Sequence, residues 1–220
     1  FEKLRKEYKS LGSIPIRSYL TDEEVARFSV QRHRFAGVDV QARLYREYPY
    51  GKTAAHLLGY IGRINEKDEN QLKEDNRWEL YRGTDHIGKS GVEQSYEAEL
   101  HGVTGYQRLE VDNKGRPVRV LGETLPQAGH QLTLSIDIEL QKIAEEAFAG
   151  RRGALVAIDP QSGEVLAFVS QPSFDPNLFV DGIDRESWAM LNEDAARPLN
   201  NRALRGLYPP GSTFKPFMAL

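Results

Sequence analysis

The chain has 220 residues, 40% of them hydrophobic and 28% charged, which is enough to fold into one large or two small domains. Twenty-nine basic residues against 32 acidic ones give a net charge of −3, which argues against a protein that binds nucleic acid through a broad basic surface. The absence of cysteine excludes disulfides and thiol catalysis, and the longest apolar run is far short of the ~20 residues that cross a bilayer.

The first third of the chain predicts short elements joined by polar segments. Apolar residues at every second position predict strands over residues 14–20 and 38–44. Between these strands, Thr21 and Glu24 form a capping-box pair, which indicates the start of a helix. The charge-dense residues 65–82 are expected to form an exposed helix or loop.

The middle of the chain predicts a helix followed by a hairpin. Apolar residues at every fourth position indicate a helix over residues 90–100, which Gly102 ends. Alternating apolar residues on both sides of residues 112–115 predict a β-hairpin. The sequence LPQAG at residues 125–129 is typical of a linker, so we place a domain boundary between residues 128 and 129.

The last third of the chain predicts an α+β fold. The predicted elements are a strand at 131–136, a helix at 139–148, a strand at 154–158, a turn at 159–163 and a strand at 165–169. Strands that are apolar on both faces are usually covered on both faces. We therefore expect the start of an antiparallel sheet covered by helices, preceded by a thinner and more polar first part.

The strongest candidate for chemistry lies at residues 208–216, which have the sequence YPPGSTFKP. Two prolines and a glycine predict a turn, Ser212 follows where a helix would begin, and Lys215 falls on the same helical face. A serine nucleophile needs a base, and a lysine in its neutral form can act as one. The backbone N–H of Ser212, in a first helical turn, suits an oxyanion. The alternative is a helix-capping serine followed by a solvated lysine.

These residues resemble the serine motif of penicillin-binding proteins and serine β-lactamases, and the likeness extends over nearly the whole chain. It is closest to class B penicillin-binding proteins of the elongation type. The segments that carry it are YPYG at 48–51, HLLGY at 56–60, GKSGVE at 88–93, YE at 96–97, LHG at 100–102, AIDP at 157–160, GEVLA at 163–167, PSFDPN at 172–177 and NRA at 201–203.

The resemblance implies an elongated, non-catalytic pedestal domain of the dimerisation type over residues 1–128 and the start of a transpeptidase domain over residues 129–220. The implied activity is that of a peptidoglycan D,D-transpeptidase that uses no cofactor. Ser212 would be the nucleophile that attacks D-Ala-D-Ala in a stem peptide, and Lys215 the general base. β-Lactams would acylate the same serine.

The resemblance also implies partners and a location. The pedestal would bind a SEDS glycan polymerase (RodA) and the scaffold protein MreC, and a membrane anchor would hold the protein on the periplasmic side of the bacterial inner membrane. The family's Ser-x-Asn and Lys-Thr-Gly motifs do not occur here, and the chain begins with Phe1. We therefore expect a fragment, inactive alone, whose alternative role is that of a non-catalytic module that activates the polymerase.

A second motif points to nucleotide binding as a remote alternative. Residues 83–90, GTDHIGKS, match the phosphate-loop pattern G-x-x-x-x-G-K-S. However, residues 76–82 are too polar for the buried strand that should precede such a loop, and a hairpin follows where a parallel β-α-β unit is needed.

The remaining candidates have simpler interpretations. The five histidines have no metal-ligand spacing, so no metal site is expected at His33, His56, His86, His101 or His130. Asp159 and Asp175 each precede a proline and are expected to be turn residues. Arg202 either holds the approach to the serine by hydrogen bonds or is solvated, and the sequence leaves both open.

Overall fold

The computed structural model describes residues 16–42, 44–81, 83–113 and 117–219, with the side chain of residue 117 left out. The chain forms two compact units. The first unit comprises Phe1–Tyr45 and Gln107–Glu123, and the second comprises Arg46–Tyr106 and Thr124–Leu220. The domain boundary predicted between residues 128 and 129 stays a prediction.

The fold mixes helices and strands, as predicted. The helices are α1 (Asp22–Gln31), α2 (Ala55–Leu58), α3 (Glu66–Glu74), α4 (Gly91–Ser95), α5 (Glu97–Leu100), α6 (Ile138–Glu146), α7 (Arg185–Glu193), α8 (Arg202–Arg205) and α9 (Lys215–Met218). The strands are β1 (Ile61–Arg63), β2 (His86–Gly88), β3 (Tyr106–Val111), β4 (Pro117–Thr124), β5 (Gly153–Ile158) and β6 (Val165–Gln171). They form three two-stranded sheets, β1–β2, β3–β4 and β5–β6. Short 3-10 turns occur at Arg32–Arg34, Trp78–Tyr81, Pro176–Phe179 and Gly211–Phe214.

The first unit contains α1 and most of the β3–β4 hairpin. The capping box is confirmed: the Glu24 N–H donates to the Thr21 hydroxyl at 3.2 Å, and the Thr21 N–H donates to the Glu24 carboxylate at 3.0 Å. The hairpin is confirmed as well, and Gln107 on β3 donates to Glu123 on β4 at 2.9 Å. Its turn residues 114–116 lie outside the described residues.

The two strands predicted in the first unit are wrong where the structure describes them. Residues 16–20, 38–42 and 44 belong to no strand, while residues 14, 15 and 43 lie outside the described part. Leu44 is fully exposed. Alternation yields a strand only where a neighbouring strand completes the backbone hydrogen bonds, and no described residue does so here.

The second unit has a core that joins distant segments. Ala55, Phe174 and Phe179 are buried together. The Phe174 ring meets the Tyr60 ring edge to face at 6.0 Å, and Tyr60 stacks on Phe179 at 4.1 Å between ring centroids. The chain around α2 therefore packs against the chain that follows β6.

The β5–β6 hairpin and α6 confirm the predicted strands and helix, with one exception and one difference. Residues 131–136 form no strand; instead, the Ser135 hydroxyl donates to the Val165 carbonyl at 2.8 Å. β6 is largely buried, but Leu155 and Val156 on β5 are 38% and 43% exposed. The apolar sequence of β5 predicts that other elements cover both of its faces. The described residues do not cover both faces.

A buried glutamine joins α6 to β6. Gln141, which has no exposed surface, donates to the Phe168 carbonyl at 2.9 Å and accepts the Phe168 N–H at 2.7 Å. It also donates to the Glu145 carboxylate at 2.7 Å. The side chain therefore forms hydrogen bonds with both the N–H and the carbonyl of Phe168. A buried backbone group without a hydrogen-bond partner would destabilise the folded state.

The segments between residues 65 and 102 follow the predictions with small changes. The charged segment forms α3 and a 3-10 turn, although Leu72 and Tyr81 are buried. The helix predicted over residues 90–100 is divided into α4 and α5 at Tyr96, and Gly102 follows with a φ of +70°. No helix among the described residues has the length and apolar character to cross a bilayer.

Candidate functional site

Ser212 and Lys215 lie in one short helical segment. Ser212 belongs to the 3-10 turn Gly211–Phe214, and Lys215 begins α9 directly afterwards. Phe214 and Lys215 have helical backbone angles, so the two turns run on without a break. Residues three apart share one side in both kinds of helix. Pro216 falls in the first turn of α9, where a missing N–H is tolerated.

Two hydrogen bonds from Thr213 to the Pro210 carbonyl hold the turn that contains Ser212. The Thr213 N–H and hydroxyl both donate to the Pro210 carbonyl, at 3.3 and 2.5 Å. Ser212 and Lys215 are exposed, and neither side chain forms a hydrogen bond or ion pair with another described residue. The roles of both residues therefore stay predictions.

The segment that leads to this corner is held by buried hydrogen bonds. Arg202 is 9% exposed, and its guanidinium donates to the Arg197 carbonyl at 3.1 Å, to the Asn200 carbonyl at 3.4 Å and to the Ala196 carbonyl. Of the two interpretations of Arg202, hydrogen bonding is confirmed and solvation is wrong. A guanidinium with five fixed donors suits this gathering of carbonyl oxygens.

Asn201 and His56 form a second set of contacts beside Arg202. The Asn201 amide donates to the His56 carbonyl at 3.1 Å. His56 is buried, and its Nε2–H donates to the Pro172 carbonyl at 3.4 Å. Burial lowers the pKa of His56, since the charged imidazolium loses its hydration. In the described ranges, no three potential metal ligands gather into one group.

A buried carboxylate on α4 was assigned no role by the sequence analysis. Glu93 is 5% exposed and accepts hydrogen bonds from Arg46 at 2.6 Å and from the Tyr48 hydroxyl at 3.1 Å. Burial raises the pKa of the Tyr48 phenol, and the negative charge of Glu93 raises it further. In the sequence, Tyr48 and Glu93 stood out only as members of two segments that resemble the family, because Glu93 is 47 and 45 positions from Arg46 and Tyr48.

The nucleotide-binding alternative is wrong. Residues 86–88 inside the supposed phosphate loop form β2, which pairs with β1 in antiparallel register. Lys89 pairs with Asp68, and a 3-10 turn rather than a buried strand precedes the motif. Asp159 and Asp175 are confirmed as turn residues: Asp159 accepts the backbone N–H groups of Gln161 and Ser162, and Asp175 accepts that of Asn177.

Two family models match most of the chain, including the serine corner at residues 208–216. A family model described as the penicillin-binding protein dimerisation domain matches residues 1–134, and one described as the penicillin-binding protein transpeptidase domain matches residues 153–220. The chain belongs to the penicillin-binding proteins. The serine corner lies in the transpeptidase match, and the segment around α2 lies in the dimerisation match.

Two relatives with similar sequences carry the same functional name. The chain is 48% identical over all 220 residues to the peptidoglycan D,D-transpeptidase MrdA of Escherichia coli K12 and 46% identical to that of Acinetobacter baumannii. These alignments cover 100% of this chain but 35% and 32% of the two relatives. The chain therefore spans about a third of the length of the curated relatives it matches.

Two solved penicillin-binding proteins have similar structures. Pseudomonas aeruginosa PBP2 in complex with WCK 5153 has a TM-score of 0.69 at 50% identity, with 82% of this chain and 35% of that chain covered. Helicobacter pylori PBP2 in complex with MreC has a TM-score of 0.80 at 30% identity, with 99% of this chain and 41% of that chain covered. The fold of a penicillin-binding protein therefore accounts for the described residues.

Proposed function

We propose that this chain forms part of a peptidoglycan D,D-transpeptidase of the PBP2 type, which crosslinks stem peptides during cell-wall elongation. The observation that carries the proposal is the shared helical segment of Ser212 and Lys215, placed after a proline corner within the transpeptidase match. The names of the relatives support the same reaction.

The proposed reaction has two acyl transfers at Ser212. The Ser212 hydroxyl attacks the carbonyl of D-Ala-D-Ala, its proton passes to neutral Lys215, and the Ser212 N–H donates to the oxyanion. Lys215 returns the proton to the departing D-Ala, which leaves an ester on Ser212. An amine of a second stem peptide then attacks the ester and gives a proton to Lys215. The new amide bond forms as the ester C–O bond breaks, and Lys215 passes that proton to the Ser212 oxygen. A β-lactam would acylate Ser212 by the same first step, and no cofactor is needed.

Substitution of the nucleophile tests this proposal in the full-length protein. We expect Ser212→Ala to abolish both labelling by fluorescent penicillin and stem-peptide crosslinking, and Lys215→Ala to slow acylation about 10²–10⁴-fold. Ser162→Ala, at an exposed serine in the β5–β6 turn, serves as the matched control and should label normally. Crosslinking that persists in Ser212→Ala would contradict the assignment. The 220-residue chain alone is expected to be inactive.

We propose a second, non-catalytic function for residues 1–128. The observation that favours it is the likeness over 99% of this chain to a PBP2 solved with MreC. These residues would bind MreC and a SEDS glycan polymerase (RodA) at the periplasmic side of the inner membrane, where an anchor would hold the protein. Binding and polymerase stimulation that survive Ser212→Ala would support this function, and their loss would contradict it. Limited proteolysis tests the boundary at residues 128 and 129.

A further inference from the structure

Asn201 connects α2 to the segment that carries Ser212. Its amide donates to the His56 carbonyl at 3.1 Å, and its side-chain oxygen accepts the Leu204 N–H at 3.2 Å, which caps α8. The accepting carbonyl oxygen belongs to His56, which is 8% exposed and whose ring donates a hydrogen bond to the Pro172 carbonyl. One side chain therefore joins an immobilised backbone oxygen to the start of α8.

A second contact fastens the same segment to β6. The buried Ser170 hydroxyl donates to the Asn200 carbonyl at 3.2 Å and accepts the Arg202 N–H at 2.9 Å. This contact holds the backbone on both sides of Asn201. The Asn201 amide adds a direct hydrogen bond from the start of α8 to α2, beside Leu199, which packs against the cluster that contains Ala55.

The path from α8 to Ser212 is short, and it runs through the exposed residues Leu207 and Tyr208. The Gly206 N–H donates to the Arg202 carbonyl at 3.0 Å and ends α8. A side chain at Gly206 would overlap both that carbonyl and the Tyr208 ring, so α8 and Tyr208 are in close contact. Pro209 and Pro210 follow with restricted φ angles, and the next residue but one is Ser212.

We propose that Asn201 is a positioning residue for the acylation of Ser212, through the hydrogen bond from its amide to the His56 carbonyl. This inference rests on the proposed transpeptidase function. It adds that the region matched by the dimerisation model sets the position of the nucleophile directly, through α2. A displacement of about 1 Å at a reacting group is enough to slow a reaction about 10²-fold.

Two substitutions separate positioning from helix capping. Asn201→Asp and Asn201→Ser both keep a side-chain oxygen that can cap α8. The Asp carboxylate has no donor for the His56 carbonyl, and the Ser hydroxyl is one bond shorter than the Asn amide and does not extend to that carbonyl. Asp also places a carboxylate against the carbonyl oxygen, whereas Ser leaves the charge unchanged. Asn65 supplies the matched control: it caps α3 by accepting N–H groups from Lys67 at 2.9 Å and Asp68 at 3.0 Å, and its amide forms no hydrogen bond to another described residue.

The experiment measures acylation of the full-length protein by a fluorescent penicillin, together with its melting temperature. We expect both Asn201 variants to lower the saturating acylation rate constant about tenfold, while the affinity of the non-covalent complex and the melting temperature stay near those of the wild type. The Asn65 variants should acylate at the wild-type rate. If Asn201→Asp folds poorly, Asn201→Ser decides the outcome.

The outcomes that overturn the inference differ from those that overturn the proposed function. Wild-type acylation rates in both Asn201 variants would overturn the positioning role alone. A lower melting temperature with an unchanged rate in the folded fraction would also overturn it, because it shows a purely structural role. A wild-type protein that penicillin does not acylate would overturn the proposed function, and this inference with it.

Discussion

The two units of the molecule differ in how they use similar local signals. The first unit has a well-capped helix and a hairpin with alternating apolar residues, yet none of its described residues is buried. Every buried residue of the described chain lies in the second unit. A capping box and alternation on both sides of a turn thus accompany a helix and a hairpin in the first unit, whereas alternation without a turn formed no strand at residues 38–42 and 44. Burial requires a partner segment that local sequence does not specify.

The second unit obtains its partners from segments that are far apart in the sequence. Ala55 packs with Phe174, and the Asn177 amide and the Tyr48 backbone exchange two hydrogen bonds at 2.9 and 3.0 Å. Matched substitutions in the two units should thus have unequal effects, and three such pairs test the comparison.

The largest difference is expected for glycines with positive φ angles. Gly59 has a φ of +77°, and a side chain there would overlap the backbone of Ser90, whereas Gly37 has a φ of +82° and open space around it. We expect Gly59→Ala to lower the free energy of unfolding by at least about 3 kcal/mol and Gly37→Ala by about 1 kcal/mol. Urea denaturation followed by circular dichroism measures both. Equal losses would contradict the comparison.

An intermediate difference is expected for two glutamines. Gln141→Leu leaves the buried N–H and carbonyl of Phe168 without partners and should cost about 3 kcal/mol of unfolding free energy. Gln107→Leu removes an exposed hydrogen bond to Glu123 and should change stability by less than about 0.5 kcal/mol. Thermal unfolding of the two variants tests this, and a Gln141→Leu protein as stable as the wild type would show that water replaces the amide.

The smallest expected difference between the two units is in how a histidine makes stability depend on pH. Burial lowers the pKa of His56, so the unfolded chain binds more protons than the folded one as the pH falls below about 6.5. The contribution of neutral His56 to the free energy of unfolding is complete above that pH. It is lost as the pH falls toward the lowered pKa of His56 in the folded protein. Urea midpoints between pH 8 and 5 should decline less steeply for His56→Gln than for the wild type. His33→Gln, at an exposed histidine, should keep the wild-type slope.

The serine corner shows how far local reasoning reaches. The helical start at Ser212 and its spacing to Lys215 follow from adjacent residues, and both were predicted. The burial of Arg202 was left open, because the carbonyls it binds are brought together only when residues 194–202 fold back on β6. Asn201 drew notice only as part of a family resemblance, since its partner is 145 positions away.

The sequence by itself determined the helix start at Thr21, the two hairpins, the turns at Asp159 and Asp175 and the resemblance to penicillin-binding proteins. These features depend on residues within a few positions of one another, or on motifs in a fixed order. Only the tertiary structure decided that residues 38–44 lack a strand where they are described, that β5 is half exposed and that Glu93 and Gln141 are buried. Burial and strand pairing depend on which distant segments meet, and periodicity carries no information about the partner.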